Sequence, residues 1–166
     1  MKYLLLNRHA KSPWGGLKIS DHDRELDSRG VDDSVIMGKK LHRKGILFDT
    51  MITSTAKRAL TTCELIASEV GYPIEKIKLE AEIYQSDKNI LKSIISKIDN
   101  NVNSVAIFGH NPTFHELADE LSDSGISRFP VCAMLFVEFD AIRWSNLFTN
   151  SRREVFYLDP GIVRSE

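Results

Sequence analysis

Cysteine is scarce in this chain. The two cysteines among 166 residues, Cys63 and Cys132, stand far apart and form no CxxC pair. Neither a disulfide framework nor a zinc knuckle is expected from them, and a reducing cytoplasm fits. Long apolar runs are missing too. The N-terminal one is confined to residues 3–6, too short for the apolar core of a signal peptide. No stretch approaches the ~20 residues that a bilayer demands, so no membrane partner is expected. An excess of either charge is also lacking: 22 Lys+Arg against 23 Asp+Glu give a net charge of -1, which argues against a nucleic-acid partner. There is no internal repeat, low-complexity tract or Gly/Ser/Pro linker. The 5 histidines show neither HExxH nor HxH spacing, and His110 and His115 are wrongly spaced to share one helix face, so no metal is expected.

What remains has the composition of an ordinary soluble globule, with 42% hydrophobic and 27% charged residues. The length suits one domain over residues 1–166, expected to be a monomer. A chain of this size can bury about 70% of the surface its unfolded form exposes, and so needs no staple.

Short apolar runs at residues 3–6, 50–53, 102–108, 131–139 and 155–158 read as strands. They are continuous rather than alternating, as strands covered on both faces are. Between them lie helix-period segments. Val31, Val35, Gly38 and Leu41 mark a helix over 29–44. A second runs from Ala56 to a stop near Gly71, with Ser54 or Thr55 as its expected cap. A third follows Ile90, Leu91, Ile94, Ile95 and Ile98. The fourth follows Phe114, Leu117, Ala118 and Leu121 and opens at Pro112 or Thr113. The alternation predicts a three-layer α/β/α sandwich around a mostly parallel central sheet.

Three polar clusters fall just past the C-terminal ends of strands: Arg8-His9, Ser54-Thr55-Ala56-Lys57-Arg58 and Gly109-His110-Asn111. In open α/β sheets that edge is where ligands bind. Each cluster alone has a bland reading. Arg-His pairs are mostly solvated, Arg58 could lie along a helix face, and a lone His after a strand is more often structural than catalytic. Converging on one edge, they predict a compact anionic ligand, with the helix start at Arg58 adding free N–H donors.

Together these clusters resemble the histidine phosphatase superfamily, the phosphoglycerate-mutase-like or RHG family, and within it the small SixA-type branch of phosphohistidine phosphatases. The resemblance rests on Leu6-Asn7-Arg8-His9-Ala10-Lys11-Ser12, Asp23-Arg24-Glu25-Leu26 with Arg29-Gly30, Ser54-Thr55-Ala56-Lys57-Arg58-Ala59, Glu82-Ile83-Tyr84, and Gly109-His110-Asn111-Pro112. It spans almost the whole chain. The departures are Ala10 where the superfamily usually has Gly, Thr55 where Pro is expected, Glu25 where the branch has Pro, and no mutase-type Asn near Gly15. The last weakens a mutase reading.

The resemblance implies that His9 attacks phosphorus and forms a phosphohistidine that water hydrolyses. Arg8, Arg58 and His110 would clamp the phosphoryl oxygens without a metal or cofactor, and Ser12 would join them as a phosphate ligand. Glu82, with Glu80 beside it, is the candidate general acid. A phosphoramidate needs it less than an ester does, because a protonated imidazole leaves readily. The expected substrate is a phosphohistidine on a protein. The alternatives are a small phosphorylated substrate, namely a phosphomonoester, and a non-catalytic phosphate-recognition module. Asp21, Asp23, Arg24 and Arg29 read as a loop ion-pair network, Trp14 as a packing residue or a wall of the site, and His22, His42 and His115 as surface residues.

Overall fold

The computed structural model describes all of residues 1–166. Strands β1 (Lys2–Arg8), β2 (Thr50–Thr53), β3 (Lys78–Leu79), β4 (Ser104–Gly109), β5 (Met134–Phe139) and β6 (Arg152–Leu158) form one sheet in the order β3-β2-β4-β1-β5-β6. Every neighbouring pair is parallel except the two made by β5, which runs against both β1 and β6. The helices are α1 (Ser28–Arg43), α2 (Lys57–Val70), α3 (Lys88–Ser96), α4 (Thr113–Leu121) and α5 (Pro160–Arg164). No helix is long and apolar enough to cross a membrane.

The continuous apolar strands are explained by two cores, one on each face. On β1, Leu4 and Leu6 point to one side and Leu5 to the other. On β4, Val105 and Ile107 oppose Ala106 and Phe108. The first face is closed by Leu91 and Ile95 of α3 and by Phe114 and Leu117 of α4, with Trp144 beside them. The second is closed by Met37 and Leu41 of α1, Cys63 and Ile66 of α2, and Val163 of α5. A strand residue buried on either side loses its contact with water, worth about 1.5–3 kcal/mol per large aliphatic side chain. This is why alternation gave way to unbroken apolar runs.

Two elements went unread in the sequence. Strand β3 is two exposed residues, and α5 is a single short turn whose N-cap Asp159 accepts from the Ile162 amide. The expected cap of α2 is also corrected. Its N-cap is Ala56, and no side chain caps the helix start. Ser54 and Thr55 are engaged elsewhere, as described below.

The close of β4 depends on Gly109. A Cβ placed there would lie 2.3 Å from the Phe114 ring and 2.8 Å from Ile83 Cγ2. Gly109→Ala is expected to destabilise the fold by about 1–3 kcal/mol through overpacking, read as a lower urea midpoint with an unchanged slope.

Candidate active site

Sheet order and register assemble the site. Strands β2, β4 and β1 are consecutive neighbours, and their C-terminal ends are level. Arg8 pairs with Gly109, and Thr53 pairs with Phe108. The ladder continues one step beyond each strand: His9 N–H donates to the Gly109 carbonyl at 3.0 Å, and Ser54 N–H to the Phe108 carbonyl at 3.0 Å. The three polar clusters of the sequence therefore meet at one sheet edge, as anticipated.

His9 is buried, and its ring centroid lies 5.2 Å from that of His110. Its Nδ1 lies 2.7 Å from the Ala10 carbonyl. A carbonyl only accepts, so Nδ1 carries the proton and Nε2 presents its lone pair. Burial, followed by His110, Arg8 and Arg58, pushes the His9 pKa down to about 3. The imidazole is thus neutral at physiological pH, which is the state a nucleophile requires. The loop carrying it is fixed by the Ala10 amide, which donates to Thr62 Oγ1 at 2.9 Å, and by the Thr62 hydroxyl, which donates to the Arg58 carbonyl at 2.7 Å.

Arg8 donates through Nη1 to the Phe129 carbonyl at 3.2 Å. The Asn111 side-chain amide reaches the same carbonyl at 2.8 Å. Burial and the neighbouring Arg58 lower the Arg8 pKa. Buried Arg58 donates from Nη1 to the Asp21 carbonyl at 2.7 Å and from Nη2 to Asp21 Oδ2 at 3.1 Å. His110 Nε2 lies 2.8 Å from Ser54 Oγ, which also accepts from the Ala56 amide. With the Ser54 hydroxyl donating to Nε2, the His110 proton sits on Nδ1; this tautomer is assigned from the network. Burial and Arg58 lower the His110 pKa to about 4. Arg8 Nε, Arg58 Nε and His110 Nδ1 are all buried without a hydrogen-bond partner in the protein. Buried donors ordinarily have partners. Three such unpartnered groups, two on guanidiniums, belong to residues clustered around His9, and donors of this type suit a phosphoryl group.

Other residues expected at the site are placed differently. The Ser12 hydroxyl donates to the Glu25 carbonyl at 2.6 Å. Glu82 is exposed in a 3-10 turn, Ala81–Ile83. It borders a groove with Thr50, Ile52 and Ile90, and no hydrogen bond or ion pair joins its carboxylate to the histidine and arginine cluster. Trp14 is 86% exposed and lies under the Arg24 guanidinium, 4.5 Å from its ring centroid, rather than packing in the core.

The loop ion-pair network read for Asp21 and Arg24 is present, and the structure ties it to Arg58 and Tyr84. Asp21 binds Arg24 and Arg58 and accepts from the Tyr84 hydroxyl. Tyr84, followed by Arg24 and Arg58, holds its carboxyl well below the usual carboxylate range. Tyr84 meets His110 and His22 edge-on, at 5.5 and 4.8 Å. His22 bonds Thr55 Oγ1 at 2.8 Å, and His115 bonds the Ile126 carbonyl at 2.8 Å. His42 is exposed and His22 keeps 40% of its side chain in solvent, as expected of surface residues, whereas His115 is half-buried. Arg29 pairs with Asp33 instead of joining the loop network. Tyr84 stood in the Glu82-Ile83-Tyr84 motif, but no spacing in the sequence showed that its hydroxyl would reach Asp21.

The family model of the histidine phosphatase superfamily (branch 1) matches residues 4–87. The chain belongs to this superfamily. Among curated relatives, an uncharacterized protein of Mycobacterium leprae is 29% identical over 92% of the chain and 99% of its own length. Phosphoglycerate mutase of Schizosaccharomyces pombe is 38% identical over 46% of the chain, and the match spans 38% of the mutase. Among solved structures, SixA of Agrobacterium tumefaciens superposes with a TM-score of 0.81 at 24% identity, covering 96% of this chain and 99% of that one. A protein histidine phosphatase SixA complexed with tungstate gives 0.81 at 20% identity, covering 97% and 99%. These likenesses establish the fold shared with the superfamily.

The buried neutral state of His9 has a consequence for stability. Its folded pKa, about 3, lies below its unfolded value near 6.5, so between those values the unfolded chain binds more protons. Stability contributed by the neutral imidazole is present above about pH 6.5 and is lost as the pH falls toward 3. His9→Gln, which cannot titrate, is expected to flatten the fall in urea midpoint between pH 6.5 and 4.

Proposed function

We propose that this superfamily member is a metal-independent phosphatase that removes phosphate from phosphohistidine on a protein by way of a phosphohistidine at His9. The observation that carries the reading is the pairing of an unprotonated His9 Nε2 with the unpartnered donors of Arg8, Arg58 and His110. In the first step Nε2 attacks phosphorus, the P–N bond of the substrate breaks, and the departing imidazole keeps its electron pair and takes a proton. In the second step water attacks the phosphoryl group on His9, releasing inorganic phosphate and restoring the neutral ring. Two fixed guanidiniums stabilise the charge on the transferring group, and phosphoryl transfer asks for little more.

The position of Glu82 favours a phosphoramidate over an ester. An alkoxide needs a positioned acid, a contribution of about 10²–10⁴, and the Glu82 carboxylate has no bond into the cluster. Hydrolysis of a phosphohistidine peptide and of p-nitrophenyl phosphate, by the parent and by Glu82→Gln, tests this. The parent is expected to favour the peptide by more than about 10² in kcat/KM, with Glu82→Gln within about threefold on it. A preference for the ester, abolished by Glu82→Gln, would show a phosphomonoesterase instead.

A further inference from the structure

A polar groove of about 850 Å³ runs beside the site. Its near end is Lys11, two residues after His9, together with Pro130 and Val131. That segment abuts the site directly. Arg8 is bonded to the carbonyl of Phe129, the residue before Pro130, and the amide of Cys132, the residue after Val131, donates to the His9 carbonyl at 3.0 Å. A macromolecule presenting a phosphoryl group to His9 would cover this groove.

The charges of the groove are unequal in availability. Its acids are bound internally. Asp33 is buried between Arg29 and Arg164, at 3.3 and 2.8 Å. Glu154 accepts from the Ser122 hydroxyl and the Asp123 amide. Asp159 accepts from the Tyr157 hydroxyl and the Ile162 amide. Lys11 and Arg128 are not so bound, whereas Arg29 is held by Asp33. Lys11 is 57% exposed, with only a 4.0 Å approach to Asp27. Arg128 is exposed and has neither an ion pair nor a hydrogen bond, and Arg29 keeps 57% of its side chain in solvent. Lys11 and Arg128 are therefore the groove cations without a close internal partner, and both can donate to an acidic side chain of a ligand.

We infer that this groove is the docking surface for the protein substrate, and that it selects phosphohistidines flanked by acidic side chains. The inference rests on the proposed function. Complementary charge at such a rim acts mainly on encounter and selectivity. Salt should weaken it, because exposed charges are screened over about 10 Å at 0.1 M ionic strength.

The test uses phosphohistidine peptides flanked by Glu, Ser or Lys, with phosphoramidate as a substrate too small to reach the groove. The parent and Arg128→Glu are compared on all four at low salt. The parent is expected to prefer the Glu-flanked peptide. Arg128→Glu should raise its KM by roughly three- to tenfold, lower that of the Lys-flanked peptide, and leave kcat and phosphoramidate hydrolysis unchanged. Equal peptide ratios in parent and variant, with phosphoramidate turnover intact, would overturn the groove assignment alone. A parent that leaves phosphoramidate and every peptide untouched while hydrolysing an ester removes the phosphohistidine reading, and the groove assignment with it.

Discussion

His9→Ala is expected to lower turnover by about 10⁴- to 10⁶-fold on any substrate the parent accepts, as removal of a covalent nucleophile does. The reason is specific to this residue. The Ala10 carbonyl fixes the tautomer, and burial with the cations around it keeps the ring unprotonated, so Nε2 carries a free lone pair. No other side chain has that combination. His110 sits 5.2 Å away, but its Nε2 is engaged by Ser54. The fold should survive, because the strand register that builds the edge is carried by backbone hydrogen bonds. Steady-state kinetics with a circular-dichroism control checks it. A fall of less than tenfold with folding intact would assign the attack elsewhere.

Arg58→Ala is expected to lower kcat by about 10²–10³-fold, the size seen when a single transition-state donor is removed. Its guanidinium is buried, holds the Asp21 carbonyl and carboxylate, and leaves Nε free beside Arg8 and His110. Arg58→Lys keeps the charge and loses the fork, so it should recover only part of the rate. If Arg58 merely anchored the Asp21 loop, the alanine variant would show a raised KM and a lower melting temperature at nearly unchanged kcat.

The legibility of this protein from sequence followed the physics of each element. Buried strands are continuous apolar runs, so β1, β2, β4 and β5 could be placed, and with them the residues just past their ends. Once β2, β4 and β1 are neighbours in level register, Arg8, His9, Arg58 and His110 have to converge. Loop side chains obey no such periodicity. Whether Glu82 faced the cluster or the neighbouring groove, and whether Ser12 faced phosphate or the Glu25 carbonyl, depends on the path of irregular backbone. The same holds for the contacts that join Asp21, Tyr84 and His22, which bring together residues 63 apart. The cap of α2 was misread because Ser54 and Thr55 look like capping residues, whereas the structure uses them to hold His110 and His22.

The most direct test of the mechanism is to mix the enzyme with a ³²P-phosphohistidine peptide, quench in base within milliseconds, and map the label. Base-stable, acid-labile phosphate is expected on His9 at up to one per chain, and none on His9→Ala. Turnover by the parent with no protein-bound label at any quench time, or label on another residue, would contradict it.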